Sequence, residues 1–391
     1  MPQAKAATGT RRGKAKKEKP VQSGWRRGLD IFLICLSVFC AVALLATAYG
    51  GYLSPLKYGG KVGILPLCFP FVTAAGMAVL LVDAFFSRAG VFIAGIGFLL
   101  CAGPLLDFFP LNVTESKAKE GTETFTLLSY NVYQFEPREE ADADGKRTLA
   151  YILERDADIV CLQEALLLTP SEKTGITASQ VDSLHSKYPN IIHSNDGQCI
   201  LSKFEVNPIH LNTNDNSFAG GDIGAYRVTL PSGRLIGIFN VHLNSYSLTD
   251  DDKELYHDLT KLQREPIKDI RNQLLDKLAA AAVGRARQTQ QLIRWLRLYG
   301  GPDAIVCGDF NDVTNCYAIH TLADAGFRDV YPRVGFGPMH TYNANRFYFC
   351  IDHIMSRGAL KPLWLKKGHL RSSDHYPIEV EFSIAGDGDD L

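Results

Sequence analysis

The sequence predicts an α/β domain preceded by three transmembrane helices, and two patterns support this fold class. Uncharged stretches of 26, 21 and 18 residues follow one another between Asp30 and Asp107, and roughly 20 apolar residues are enough to span a bilayer as a helix. From Phe125 onward, short β-branched and apolar stretches alternate with helical patterns, as in layered domains that contain both element types. With 391 residues, 46% of them hydrophobic and 21% charged, the chain is not disordered, collagen-like or a small disulfide-stapled protein.

Charge is divided unevenly along the chain. Residues 1–110 carry 12 Lys and Arg against four Asp and Glu, a net charge of +8, whereas residues 111–391 carry a net charge of −9. An acidic domain lacks the broad positive field that drives sequence-independent binding to nucleic acid. Nucleic acid is nevertheless kept as an alternative partner, because a local basic rim and a metal ion would suffice to bind it.

The three uncharged stretches differ in quality as membrane spans. The first continues past Tyr49 without a small-residue cleavage site, so we interpret it as a retained helix and not as a secretory signal. The third is the weakest, because its length is near the lower limit and helix-breaking residues interrupt it, namely Gly95, Gly97, Gly103 and Pro104. Buried core helices of a soluble protein are the alternative interpretation.

The charges that flank these stretches predict the orientation. Nine basic residues precede the first stretch, so residues 1–28 are expected to form a basic cytoplasmic tail and residues 29–110 a membrane anchor. Three crossings then place the remainder on the periplasmic or extracellular side, whereas two crossings would return it to the cytoplasm. Residues 111–124 are polar and aperiodic, which predicts a linker, and residues 125–391 form the large domain.

Apolar patterning predicts the elements of the large domain. Strands are expected at Phe125–Tyr133, Ile159–Gln163, Gln198–Ser202, Ala225–Leu230, Leu235–Leu243, Ala304–Asp309, Phe347–Met355 and Ile378–Ile384. Helices are expected at Lys146–Arg155, Ser179–Lys187, part of Asp251–Leu278, Ala279–Tyr299 and Thr314–Ala325. The densely charged 251–278 segment is interpreted as a solvated helix or an insertion. Five cysteines without paired spacing indicate no disulfide framework in this domain.

Six short blocks place polar residues at the ends of apolar strands. The blocks are LLSYN (127–131), IVCLQE (159–164), FNVHLN (239–244), VCGDFN (306–311), CIDHI (350–354) and SSDHYP (372–377). Asn, Glu, Asp and His without a CxxC or HExxH element favour oxygen ligands and a hard cation such as Mg²⁺ or Mn²⁺. Such a site suits phosphoester hydrolysis, in which the metal offsets phosphoryl charge while a carboxylate or His activates water.

In this order the blocks resemble the endonuclease/exonuclease/phosphatase superfamily, which includes DNase I-like nucleases, abasic-site endonucleases, neutral sphingomyelinases and inositol-polyphosphate 5-phosphatases. The resemblance covers about residues 125–385 and is most specific in GDFN (308–311) followed by SDHYP (373–377). It implies a four-layer sandwich of two packed β-sheets flanked by helices, with the site at one rim. It also implies a divalent-metal-dependent phosphoester hydrolase that acts on nucleic acid or on a lipid head group, and the uncharged stretches add the membrane anchor.

The resemblance assigns metal binding to three residues. Glu164 is similar to the principal metal ligand, and Asn131 and Asp374 are expected to contact the ion or its waters. Tyr133 departs from the pattern of the abasic-site endonucleases, which have a further acid two residues after the Asn. This departure argues against close kinship with that branch.

Five further residues match the catalytic positions of the superfamily. Asp309 and Asn311 resemble the pair that orients the attacking water and contacts the phosphate. His375 resembles the phosphate-binding or proton-transferring His, and Asp352 is expected to hold an imidazole or the nucleophilic water. His242 matches the second His of the nuclease and sphingomyelinase branches, as a general acid or phosphate clamp.

Two other functions and several ordinary roles stay open. A catalytically silent membrane-bound binding module with this fold would be expected to have lost Glu164, Asp309 or His375, and the sequence keeps all three. A transporter would be expected to carry charges within its membrane spans, and the three stretches have none. A structural role is expected for His353, helix capping for Asp312, and packing against a sheet for the helix that carries Arg285 and Gln288.

Overall fold

The computed structural model describes residues 24–136, 145–165, 168–194, 197–209, 222–246, 267–344 and 348–385. Most of the predicted basic tail lies outside the described residues, and so do positions 251–266 of the predicted charged segment.

The amino-terminal part is a helical hairpin followed by a broken helix. Its helices are α1 (Gly24–Tyr49), α2 (Pro55–Tyr58), α3 (Leu65–Phe86), α4 (Arg88–Leu100) and α5 (Ala102–Phe108). Two of its segments are long and apolar enough to cross a membrane, Gly24–Tyr52 and Gly60–Phe86, with mean hydropathies of 2.7 and 2.2. Both carry one of the uncharged stretches of the sequence.

The third uncharged stretch, the weakest of the three, does not form one straight span, which corrects the prediction of three transmembrane helices. Helix α4 has 13 residues, about 20 Å, and α5 turns away from it by 65°. Pro104 explains the break, because proline has no N–H to donate to the carbonyl of Leu100. The hydroxyl of Tyr49 donates to that carbonyl instead, at 2.6 Å. A third crossing therefore exists only if the bent α4–α5 pair counts as one span.

The large domain contains two mixed six-stranded sheets. Its strands are β1 (Thr124–Asn131), β2 (Ile159–Gln163), β3 (Asn190–His193), β4 (Cys199–Ser202), β5 (Glu205–Pro208), β6 (Asp222–Thr229), β7 (Leu235–His242), β8 (Ala304–Asp309), β9 (Arg328–Asp329), β10 (Asp352–Arg357), β11 (Leu360–Lys367) and β12 (Ile378–Ile384). The first sheet has the order β11-β12-β1-β2-β4-β3, and the second has the order β5-β6-β7-β8-β10-β9. Within each sheet one central pair is parallel, β1 with β2 and β7 with β8, and the other pairs are antiparallel.

Helices cover the outer faces of both sheets. They are α6 (Gly145–Arg155), α7 (Ala178–Lys187), α8 (Ile267–Tyr299) and α9 (Tyr317–Asp324), whereas the short helix α10 (Tyr331–Val334) packs through Val334 on the core between the sheets. Alternate residues of β1 face opposite sides of the first sheet. Leu127 points into the core between the sheets, and Leu128 packs with Leu149 of α6 on the outer face. On the other side, Phe239 of β7 packs with Leu292 of α8. The predicted four-layer sandwich is confirmed.

The ends of the central strands place the site. Because the two parallel pairs run in the same direction, their carboxyl ends lie at one rim, where Asn131 is paired with Gln163 and His242 with Asp309. Strand β10 is antiparallel to β8 and begins at that rim with Asp352 opposite Asp309. A buried amide pair joins the sheets just below, with Gln163 Nε2 donating to Asn240 Oδ1 at 2.7 Å.

Candidate active site

One amide links the two central carboxylates of the rim. Nδ2 of Asn131 donates to Oε1 of Glu164 at 3.0 Å and to Oδ2 of Asp309 at 3.1 Å, and its Oδ1 accepts from the backbone N–H of Tyr133. Glu164 follows β2 in a left-handed conformation with φ 54°, which turns its side chain out of the strand direction and toward the rim. These contacts bring an acid from each sheet to the same amide group.

Two imidazoles approach the same carboxylate oxygen from different sides. His242 Nε2 lies 3.6 Å from Asp309 Oδ2 and 3.7 Å from Glu164 Oε1. His375 Nε2 lies 3.4 Å from Asp309 Oδ2, and its Nδ1 lies 2.8 Å from Asp352 Oδ2. Because a carboxylate only accepts, Nδ1–H of His375 donates to Asp352. Asp309 is therefore the centre of the cluster.

Burial and charge shift the pKa values of the two most enclosed groups. Burial raises the pKa of Asp309 to about 6, although the neighbouring His375 opposes this effect. Burial alone would lower the pKa of His375, but the carboxylates of Asp352 and Asp309 outweigh it and raise that pKa well above its usual value. The two carboxylates therefore favour the cationic form of the His375 imidazole.

The loops after β8 and before β12 are fixed by their own polar groups. Asp309 Oδ1 accepts from the backbone N–H of Asn311 at 2.8 Å, and Asn311, with φ 51°, donates through Nδ2 to the carbonyl of Leu243. Ser373 Oγ donates to the carbonyl of Asn131 at 2.7 Å and accepts from the backbone N–H of His375. The SDHYP loop is thereby attached to the end of β1.

A cavity of about 390 Å³ opens over this cluster. Six of the eight residues assigned from the sequence line it, namely Glu164, His242, Asp309, Asn311, Asp374 and His375. Asn131 and Asp352 lie buried behind them, in contact with Glu164 and His375 respectively. All eight predicted residues therefore meet at one place, and their individual roles stay predictions.

The structural role expected for His353 agrees with its contacts, whereas the helix capping expected for Asp312 is not found, because Cys316 is the N-cap residue of α9. His353 faces away from the cavity, with its ring nitrogens 3.2 Å from Asp329 Oδ2 and 3.0 Å from the carbonyl of Asp312. Asp312 Oδ1 accepts from the N–H of Val313, and its Oδ2 accepts from Nε of the buried Arg285 at 2.9 Å. These groups support the rim without lining the cavity.

Arg285 and Gln288 of α8 hold the segment that follows β7. Nη1 of Arg285 donates to the carbonyl of Asn244, and Oε1 of Gln288 accepts from the N–H of the same residue. Since Asn244 is two residues after His242, the pair fixes the backbone that carries this imidazole. The role of these two residues is positional.

Two groups of side chains offer atoms to a cation. Asp309, Asp352 and His375 have ligand atoms within 4.8 Å of one another, but the 2.8 Å hydrogen bond between Asp352 and His375 already partners both side chains. Glu164 and Asp374 face the cavity, and the amide of Asn131 adjoins Glu164. The carboxylate oxygens of Glu164 and Asp374 in an open cleft fit a hard divalent cation, which keeps part of its water shell.

Several residues at the cavity were not predicted from the sequence. Tyr342 packs edge-on against the ring of His375 at 5.1 Å between centroids, and the segment around it is paired with the SDHYP loop. The cavity wall also includes Ile64, Leu67, Cys68 and Phe71 from the start of α3. No local signal marks them, since apolar residues of a membrane helix have the same pattern whether they face lipid or a cavity.

The chain was also compared with known proteins. Similar solved structures include an endonuclease/exonuclease/phosphatase from Beutenbergia cavernae at 14% identity and TM-score 0.44, covering 67% of this chain and 72% of that one. Another is the corresponding protein from Bacteroides vulgatus at 15% identity and TM-score 0.44, covering 67% and 99%. A third is TDP2 from D. rerio complexed with a single-stranded DNA product, at 18% identity and TM-score 0.40, covering 66% and 99%. No curated protein matches the chain.

The sequence profile of one family matches most of the large domain. The match extends over residues 128–375, which is more than half of the chain and includes all eight residues of the rim. Members of this family generally hydrolyse phosphoester bonds. By this match, the chain belongs to the Endonuclease/Exonuclease/phosphatase family.

Proposed function

We propose that the protein is a membrane-anchored, divalent-metal-dependent phosphodiester hydrolase. One observation supports this function above the others. Side chains from both sheets, Glu164 and Asp309, share one amide donor at the floor of a cavity that also presents His242 and His375. Acids, imidazoles and an amide converging on one point form the set of groups that metal-assisted attack of water on a phosphate requires.

Glu164 is the residue that would hold the ion, with Asn131 and Asp374 contacting it or its waters. When bound, Mg²⁺ or Mn²⁺ supplies positive charge that polarises the phosphoryl group. Glu164 is suited to this role because its carboxylate faces the cavity while Asn131 fixes its orientation.

The remaining groups act on substrate and water. Oδ2 of Asp309 orients the attacking water and accepts its proton, and Asn311 contacts the phosphate beside it. The cationic ring of His375, held by Asp352, binds a phosphate oxygen through Nε2–H. His242 Nε2 lies on the other side of Asp309 and donates a proton to the leaving oxygen.

The contacts of the anchor support its orientation. Asn315 Nδ2 donates to the carbonyl of Thr47 at the end of α1, so the large domain lies on the side of the membrane where α1 ends. Helix α4 then runs back along α3, since Gly90 lies against Asp83 and Gly76 against Phe98. With a cytoplasmic amino terminus and with α1 and α3 as crossings, the domain lies on the periplasmic or extracellular side if the bent α4–α5 pair carries the chain back across the membrane.

Hydrolysis by the full-length protein in detergent tests the proposal. With Mg²⁺ or Mn²⁺, bis(p-nitrophenyl) phosphate should be hydrolysed, and a chelator should abolish the reaction. Glu164→Ala should lower turnover by on the order of 10²-fold or more, whereas the exposed control Glu205→Ala should match wild type. Equal turnover by wild type and Glu164→Ala would show that the site is assigned wrongly.

A further inference from the structure

The membrane anchor is attached rigidly to the large domain and is not a free tether. The segment between α1 and α3 lies against α8 and the loop before α9. A Cβ added to Gly51 would collide with the carbonyl of Asn315, and one added to Gly60 would collide with the backbone of Ala279. The ring of Tyr52 stacks on His320 with centroids 3.8 Å apart. These contacts fix the distance between the membrane helices and the rim.

The attachment brings a membrane helix to the active site itself. The first turns of α3, which belongs to a candidate membrane span, contribute Leu67, Cys68 and Phe71 to the wall of the catalytic cavity. The ring of Phe71 is 56% exposed and lies 6.2 Å from that of Phe349, which is on the same wall. One side of the cavity is therefore continuous with the surface that α3 presents to the bilayer.

The cavity is apolar except at its catalytic end. Leu274 and Leu278 of α8 face the α3 residues across the space, and Ile351 adds to the apolar lining. A substrate that fills this cavity and places a phosphate at Asp309 must carry an apolar group next to that phosphate. In nucleic acid the sugar separates the phosphate from the aromatic base, whereas in a phospholipid the glycerol phosphate continues into long acyl chains.

A second space also borders His242, and its lining is more polar than that of the first cavity. Its volume is about 470 Å³, and its lining includes His242, Asn244, Ser245 and Lys277. The two spaces share His242, Ser245 and Tyr246, so the catalytic imidazole borders both the apolar and the more polar compartment. A phosphodiester with one apolar and one polar ester group matches this arrangement.

We infer that the substrate is a phospholipid of the bilayer that reaches the cavity from the membrane along α3, with its apolar part against Leu67 and Phe71 and its head group in the more polar space that also borders His242. This inference rests on the proposed phosphodiesterase activity and names its substrate class. The source of the phosphodiester is thus the lipid of the membrane that holds the protein, and not nucleic acid.

The test compares two kinds of substrate with the full-length protein reconstituted in vesicles. The first kind is bis(p-nitrophenyl) phosphate in solution. The second kind is a lipid in the vesicle, either phosphatidylcholine, phosphatidylethanolamine, phosphatidylglycerol or sphingomyelin, and the released head group is measured. A single-stranded oligonucleotide is included as the competing substrate class. Wild type should hydrolyse the soluble diester and at least one of the four lipids.

Variants of the α3 residues that line the cavity then test whether the lipid binds there. Leu67→Trp, which narrows the cavity, and Leu67→Ser, which makes its wall polar, should each lower lipid turnover about tenfold or more. That factor corresponds to the loss of roughly two buried methylene groups. Both variants should lower turnover of the soluble diester less, so that the ratio of lipid turnover to soluble-diester turnover falls. The control Leu81→Trp lies on the exposed side of α3, away from the cavity, and should change neither activity.

The outcomes distinguish the two proposals. Without hydrolysis of any substrate by wild type, the phosphodiesterase function itself fails. Hydrolysis of the soluble diester or the oligonucleotide but of none of the lipids overturns the lipid inference and leaves the phosphodiesterase function in place. Equal effects of Leu67→Ser on lipid and soluble diester, or no effect on either, would show that the α3 wall does not hold the substrate.

Discussion

Oδ2 of Asp352 lies 2.8 Å from Nδ1 of His375, and this hydrogen bond aims Nε2 of the imidazole at Asp309. The next residue along the same strand, His353, points to the opposite side and pairs with Asp329 at 3.2 Å. Two His–Asp pairs thus lie back to back on β10. Only the Asp352–His375 pair borders the cavity. Mutations of Asp352 and Asp329 can therefore be compared as a matched pair.

Asp352→Asn should lower turnover of a phosphodiester by on the order of 10²-fold or more, because an amide neither fixes the tautomer nor stabilises the cation of His375. The matched change Asp329→Asn should reduce the free energy of unfolding and leave kcat within about threefold, since the loss is confined to a structural hydrogen bond. Steady-state kinetics and thermal unfolding of both variants check this. Equal losses of kcat would contradict the distinction.

Metal binding should be detectable without any substrate. At a Mg²⁺ concentration about 100-fold above its dissociation constant, the free energy of unfolding should rise by about 2.7 kcal/mol, because the ion binds only the folded chain. Thermal unfolding in Mg²⁺ and in chelator measures the difference. Glu164→Ala should abolish the shift and Glu205→Ala should retain it. If Mg²⁺ stabilised Glu164→Ala as much as wild type, the ion would have to bind at another site.

Gly51→Ala should destabilise the full-length protein by about 1–3 kcal/mol, because the new methyl group collides with the carbonyl of Asn315 and must push the anchor off the domain. Gly103→Ala is the control, since no atom lies within 4 Å of a Cβ at that position. It should be neutral or stabilising by up to about 1 kcal/mol. Thermal unfolding in detergent compares them, and similar melting temperatures for the two variants would argue against close docking.

Arg285→Ala should cost about 3–5 kcal/mol, because it leaves the buried carboxylate of Asp312 without its ion pair. Burial already raises the pKa of Asp312, so its ionised form destabilises the folded state above the pKa of the unfolded chain. Removing Arg285 increases that penalty. The stability difference between variant and wild type should therefore shrink as the pH falls and Asp312 becomes protonated.

Arg297→Ala on the same helix is the control for this pH dependence, because Arg297 is exposed to solvent. Its variant should unfold within about 0.5 kcal/mol of wild type at every pH. Denaturant unfolding at several pH values measures both. A difference for Arg285→Ala that grows toward low pH would contradict the assignment of the penalty to Asp312.

The central strands were predictable because they are buried on both faces and read as continuous apolar runs. The predicted bounds of Ile159–Gln163, Ala304–Asp309 and Ile378–Ile384 coincide with β2, β8 and β12. The strands that were not predicted are short or lie at sheet edges, where one face is polar and proline is tolerated. Pro362 of β11, for example, sits beside a shift in strand register.

Helix α8 shows another limit of local patterns. The sequence predicts a helix from Ala279, with a separate charged segment before it, but the observed helix begins at Ile267 and runs unbroken to Tyr299. Among its described side chains, Asp276 is exposed and lies 3.7 Å from Lys61, whereas Leu274 and Leu278 line the cavity. Only the position of the neighbouring anchor reveals why those leucines are there.

The residues of the site could be predicted because each polar block ends an apolar strand, and parallel strands deliver their ends to one rim. The apolar wall could not be predicted in this way. Leu67 and Phe71 reach Asp309 through the docking of Gly51 and Gly60 on distant helices. Such contacts depend on the assembled shape of the molecule and leave no trace in the spacing of residues.

The contribution of α3 to the cavity has a practical consequence for biochemistry. A fragment that begins after residue 110, chosen so that it needs no detergent, would lack Leu67, Cys68 and Phe71 and would have a breached pocket. It would also expose the surface of α8 around Ala279, which Gly60 covers in the full-length protein. Such a fragment would retain the acids and imidazoles of the site, but its substrate selectivity would differ from that of the full-length protein.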